Sequence, residues 1–272
     1  MKKFGLFFIL AMLLSPLFGW DDLAHRIITE QAMWNLPDEM SWEQNWKSYV
    51  VEHCIDPDLR KDETPGEEEK HFIDIDYYEE FNRGEMIIDK AALMAKYGEE
   101  VVIDQGILPW AILETYQKMV QAFRNDDEAE ILRTASDLAH YIEDASQPQH
   151  TIVNYNGKLN GQRGIHHRYE EYMIERYEPE FRQATELRRA EKIGINLPFI
   201  FEFIYESNSL NPLIFAADLH ALQYTTEYDD EYYRLFYFKT KYITEIQFNK
   251  TAWLLSSFLY SAWLEADNHP KQ

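Results

Sequence analysis

The 272-residue chain has one cysteine, Cys54, which excludes an intrachain disulfide framework and any Cys-based zinc finger. Metal sites in such a chain must be built from nitrogen and oxygen donors. Glycine and proline number only ten each and no internal repeat occurs, so long β-meanders are not expected. Cations are scarce: 26 Lys and Arg face 48 Asp and Glu, a formal charge of −22. That excess excludes a generic polyanion binder, because bare nucleic acid or anionic lipid would be repelled. Anionic substrates stay within reach only where bound divalent ions reverse the sign locally. Beyond the N-terminus no apolar run of 18 or more residues occurs, so no spanning helix is expected there. What is present is 46% hydrophobic and 15% aromatic residues, the composition of a globular chain rather than a disordered one.

Lys2 and Lys3 precede an apolar run over residues 4–18, broken by Ser15-Pro16 and followed by Gly19. The pattern is that of a secretory signal peptide, too short for a membrane span. Residues 1–19 are therefore read as a leader and 20–272 as one mature domain, secreted or periplasmic. Its removal takes both lysines and leaves a charge of −24, with Trp20 as the first residue.

Helical periodicity dominates the remainder. Apolar stripes predict helices over 22–34, 109–123, 128–143, 166–177, 213–226 and 243–266. Segments 56–69 and 147–164 read as loops. The expected class is all-α, a single helical domain.

Nine histidines are the chemical signal. His140 and Asp144 are four apart inside a strongly periodic stretch, so both point to one face, and His166 with Glu170 repeats that spacing. An imidazole and a carboxylate one turn apart chelate a metal ion at little ordering cost. Spacing alone is weak, since chance supplies about 1.6 such pairs and three occur, the third being His167 with Glu171. The surrounding string AHYIEDASQPQH is stronger, because it places His150 just past a helix-ending Pro148. HFIDIDYY adds His71, IDPDLRKD adds Asp56 and Asp58, and the first mature helix adds His25. Separated His and acid clusters on a helical frame are the ingredients of a polynuclear site. His53, His220 and His269 lack clustered partners, and the aromatic stretch 224–242 reads as packing rather than substrate stacking.

With these residues the chain resembles the zinc-dependent phospholipases C of bacteria and the related single-strand-specific zinc nucleases. The H-x3-D-x5-H string with Gln-Pro before its last His carries the likeness, which spans roughly residues 20–170. NYNGKLNGQRGIHHRYE resembles the bacterial phospholipase C-like members. The resemblance implies three zinc ions between helices. One would be held by Asp56 or Asp58, with Asp58 preferred, together with His71, His140 and Asp144. A second would be held by His150, His166 and Glu170. The third would take the amino group and carbonyl of Trp20, with His25 and a bridging Asp144. The activity implied is phosphodiester hydrolysis by activated water, Asp58 or Asp56 orienting or deprotonating the nucleophile. Substrates would be a phospholipid, met in transient contact at a membrane surface, or single-stranded nucleic acid, with no stable nucleic-acid partner.

Glu170 agrees with the phospholipases, whereas the short Trp-x4-His spacing at residues 20–25 is nuclease-like. Positions corresponding to a choline pocket hold Leu23, Leu59 and Glu68, which argues against choline specificity. A non-catalytic zinc-binding helical protein is the third reading, and it predicts a coordination shell with no open position.

Overall fold

The computed structural model describes residues 22–40, 42 and 44–266, so the expected leader, Trp20 and His269 lie outside the described residues. In chain order the helices are α1 (Asp22–Asn35), α2 (Gln44–His53), α3 (Asp56–Arg60), α4 (Glu79–Asn82), α5 (Lys90–Tyr97), α6 (Glu99–Asp104) and α7 (Leu108–Arg124). They continue as α8 (Glu128–Ser146), α9 (Ile165–His167), α10 (Met173–Arg176), α11 (Glu178–Gln183), α12 (Leu197–Asn208), α13 (Asn211–Ala221) and α14 (Asp230–Glu265). Among the described residues there is no strand, and no helix is long and apolar enough to cross a membrane. The class is all-α.

Helix α8 is the axis of the fold. Asp127 caps its start, accepting the Glu130 N–H at 3.2 Å, and it ends just before Pro148, whose ring cannot continue the ladder. From Thr134 to Gln147 every residue is buried, with α1, α2, α7, α12 and α14 packed around it. Ala135, Leu138, Ala139, Ile142 and Ala145 form its apolar contacts. The polar side chains at 136, 137, 140, 143 and 144 are carried into the core with them, and a polar group there must find a partner.

The expected boundaries need correction where tertiary contacts intervene. Segment 56–69 is not all loop: Pro57 stands in the first turn of α3, where its missing N–H costs nothing, and residues Glu68–Lys70 form a 3-10 turn. The helix expected over 166–177 is interrupted by a π turn at Arg168–Tyr172 between α9 and α10. Helix α13 stops at Ala221 rather than 226. The last helix starts thirteen residues before the expected 243, because the Asp229 carboxylate accepts the Tyr232 N–H and opens it there. At 36 residues α14 is about 54 Å long. Within the aromatic stretch Tyr232, Tyr233 and Phe236 are core residues, while Tyr224, Phe238 and Tyr242 are exposed.

Candidate metal centre

His140 and Asp144 leave α8 one turn apart and are both fully buried. The His140 Nδ1–H donates to the Cys54 carbonyl at 2.8 Å, which turns Nε2 toward the interior. There it meets His71 Nδ1 at 2.9 Å, Asp144 Oδ2 at 3.2 Å and Asp58 Oδ1 at 3.6 Å. His71 Nδ1 in turn lies 3.0 Å from Asp144 Oδ2 and 3.4 Å from Asp58 Oδ1. Four ligands about 2.0–2.1 Å from a tetrahedral zinc stand about 3.3 Å apart, so these separations match the edges of such a shell.

Distant segments are held in that position by ordinary bonds. Between Asp58 and His71, Arg60 donates to Glu67 at 2.9 Å and to Asp137 of α8 at 2.8 Å. Tyr141 and Lys70 also donate to Glu67, which is buried. His71 is tied to His150: the Ile73 N–H donates to the His150 carbonyl at 2.9 Å, and the His150 Nδ1–H to the His71 carbonyl at 2.8 Å.

His150 Nδ1 also lies 3.2 Å from Asp144 Oδ1, and its Nε2 faces Glu170 Oε2 at 3.7 Å. His166 Nε2 is 2.6 Å from the same Glu170 oxygen, which accepts from Gln147 Nε2 at 2.9 Å. On the other side of Asp144, His25 Nε2 is 3.8 Å from Oδ1 and its ring stacks on His140. Behind it, His25 Nδ1 contacts Glu143 Oε2 at 2.6 Å, and Thr29 donates to Glu143 Oε1 at 2.6 Å. Carboxylates in this place orient metal-binding imidazoles. Three groups result: Asp58, His71 and His140; His25, His140 and Asp144; His150, His166 and Glu170. The two oxygens of Asp144 face different groups.

Burial holds His25 well below the ordinary imidazole pKa, and lowers His71 and His166, which keeps them neutral. Burial also opposes charge on His140 and His150, but Asp144 outweighs it, lifting His140 well up and His150 to about 10. Against the same burial, His140 and His150 hold Asp144 well below the usual carboxylate range, and His140, His71 and Lys61 hold Asp58 below it.

The decisive feature is misalignment. Although His166 Nε2 and both Asp144 oxygens have close polar neighbours, none has an aligned hydrogen bond, and His25 Nε2, His71 Nε2 and Asp58 Oδ2 lack one too. Buried polar atoms left this way are costly. Cations held within the three groups would satisfy these atoms apart from His71 Nε2, whose ring turns Nδ1 to Asp58 and Asp144, so the set of imidazole nitrogens and carboxylate oxygens fits zinc.

A cleft of about 220 Å³ opens onto the centre, its walls including His71, His150, His166, Phe72, Tyr155 and Asp74. Burial, with Asp76 and Asp104 nearby, raises Asp74 to about 7.

Of the residues singled out in the sequence, His25, Asp58, His71, His140, Asp144, His150, His166 and Glu170 come together. Asp56 does not. It is half-exposed and its Oδ2 lies 2.9 Å from His53 Nδ1, because two residues along α3 turn it to the opposite side from the buried Asp58. His167 pairs with Glu171 outside the groups, and His220 lies against Tyr224. Glu143, Gln147 and the cleft residues Phe72, Asp74 and Tyr155 were not anticipated. For Glu143 a signal existed, a second acid beside Asp144 in an otherwise apolar segment. Searches against protein-family models and curated proteins give no match for this chain.

Proposed function

We propose that this chain is a zinc-dependent phosphodiester hydrolase of the phospholipase C-like kind. The observation that carries the reading is the buried cluster of imidazoles and carboxylates about Asp144, neither of whose oxygens has an aligned hydrogen bond, adjoining an open cleft. Zinc would be held by Asp58, His71, His140 and Asp144, and by His150, His166 and Glu170. His25 and Asp144 would hold a third ion with Trp20, which lies outside the described residues. Zinc bound there supplies Lewis acidity, which lowers the pKa of a water and offsets charge on a phosphoryl group.

The protein's own groups do the rest. Asp58 Oδ2, without an aligned donor, is an acceptor for the proton of an attacking water. Lys61, 3.0 Å from Asp58 Oδ1, lines the cleft as a cation in a chain of charge −22. His140 and His150, turned by the Cys54 and His71 carbonyls, keep one nitrogen each for the centre.

The test is hydrolysis of an activated aryl phosphodiester with zinc and after chelation, alongside titration of substrate binding. Zinc-dependent turnover, with binding lost in the chelated chain, is expected. Retained phosphodiester affinity after chelation would refute the reading, and full zinc occupancy without turnover would favour a non-catalytic zinc protein.

The nuclease reading is favoured by one observation: Phe72 and Tyr155 line the cleft, and aromatic faces stack bases. Leu59, at a position of the choline pocket, is instead 62% exposed. Parallel assays on phosphatidylcholine vesicles and single-stranded RNA separate the two substrates.

A further inference from the structure

Behind the His166–Glu170 pair lies a buried ion pair that belongs to none of the three donor groups. Arg168 sits between the two ligands in sequence and leaves from the opposite side of the helical turn. It is 4% exposed. Its Nε and Nη2 donate to Asp218 Oδ1 at 3.2 and 2.9 Å, and Nε also to the Tyr232 hydroxyl at 3.1 Å. Nη1 donates to the Arg163 carbonyl at 2.9 Å and Nη2 to the Gln162 carbonyl at 3.2 Å. Asp218, fully buried on α13, accepts from Tyr232 as well, and its Oδ2 accepts from Gln162 Nε2 at 2.7 Å. Tyr228 covers the guanidinium face, 4.0 Å from Cζ to ring centroid.

We infer that Arg168 and Asp218 are positioning residues for the His150–His166–Glu170 group, setting how tightly that group holds its ion. Three observations support this. The backbone from Arg168 to Tyr172 is a π turn, so the regular helical ladder does not by itself fix Glu170 over His166. The ion pair joins that turn to the 162–163 loop, α13 and the start of α14 through one buried guanidinium. Hydrophobic replacement of a buried ion pair is often neutral for stability, so the five aligned donations point to geometry rather than to stability. The approach is also tight: at Gly164, φ +88°, a Cβ would stand 3.0 Å from Arg168 Nη1.

The inference rests on the metal-centre reading, and the experiment keeps the two apart. Zinc affinity is measured by competition with a chromophoric chelator, and cobalt(II) absorption reports the geometry of each group. Four chains are compared: the parent, Glu170→Gln as the reference for loss at this group, the paired Arg168→Met and Asp218→Leu change, and Asp218→Asn. The paired variant is expected to unfold as cooperatively as the parent in chelator, yet to hold one ion about ten- to a hundredfold more weakly. That ion is the one whose cobalt band Glu170→Gln removes. Asp218→Asn, which keeps an acceptor for Arg168, is expected to recover part of the affinity. If the paired variant fails to fold, Asp218→Asn carries the test, with a loss of about threefold or more confined to the same ion. Parent-like affinity in the folded variant, or equal weakening of every ion, overturns the inference. A parent chain that binds no zinc overturns the metal-centre reading instead.

Discussion

Loading the centre should displace protons. Asp144 Oδ1 lies 3.2 Å from His150 Nδ1 and Oδ2 lies 3.2 Å from His140 Nε2. At an effective dielectric of about 20 two opposite charges at the Asp144–His150 separation attract by about 5 kcal/mol. That is enough to overcome burial and lift His150 from 6.5 to about 10, with His140 also well above its ordinary value. Both imidazoles therefore hold a proton at pH 6 to 8 in the metal-free chain, and a metal ligand must be deprotonated. The Asp58–His71–His140–Asp144 set and the His150–His166–Glu170 set each release about one proton per ion. Affinity at each then falls about tenfold per pH unit, or a hundredfold from pH 8 to 6, about 2.7 kcal/mol. Acid weakens binding and base strengthens it. Calorimetric zinc titrations in two buffers of different ionisation enthalpy count the protons directly. Asp144→Asn removes the cause, so it should lower both affinity and proton release. Release below about half a proton per ion at pH 7, or a flat affinity between pH 6 and 8, would refute the reasoning.

Glu143→Gln removes the carboxylate behind His25 and should weaken the ion that His25 would hold by about ten- to a hundredfold, read as metal content after dialysis against graded chelator. Asp58→Asn should abolish zinc-dependent turnover, whereas half-exposed Asp56→Asn should leave turnover unchanged and stability within about 0.5 kcal/mol in a denaturant melt. Asp74, raised to about 7 by burial beside Asp76 and Asp104, adds negative charge to the cleft above neutrality. KM for an anionic phosphodiester should therefore rise between pH 6 and 8, and Asp74→Asn should flatten that rise; a wild-type profile in the variant would contradict it. At Gly106, φ +86°, a Cβ would stand 2.1 Å from the Phe72 carbonyl oxygen. Gly106→Ala should lower stability by about 1–3 kcal/mol in chelator, measured by thermal melting, and should weaken zinc because Phe72 follows His71.

Much of the centre was legible because its chelating pairs are local. Four residues on one helix put two side chains on one face whatever the helix packs against, so His140 with Asp144 could be read from spacing and apolar periodicity, whereas His166 and Glu170 come together across a π turn that the spacing did not show. The same periodicity was enough for the all-α class. The choice between Asp56 and Asp58 was not legible, because it turns on how α3 is rotated against α8, and the Arg60 bonds to Glu67 and Asp137 accompany that rotation. Nor was the start of α14, where the capping side chain of Asp229 outweighs the apolar pattern.

By itself the sequence determined that this is a helical, strongly acidic chain in which a metal site would have to be built from nitrogen and oxygen donors, with His140 and Asp144 paired by helical spacing. Only the tertiary structure decided that residues 25, 71 and 150 meet around Asp144, that Asp58 joins His71 and His140 there, that Glu143 stands behind His25, and that a cleft adjoins them. The reason is physical. Spacing sets the direction of a side chain relative to its own helix, whereas convergence depends on which distant helices bury one another's apolar faces, a non-local property of the packed core.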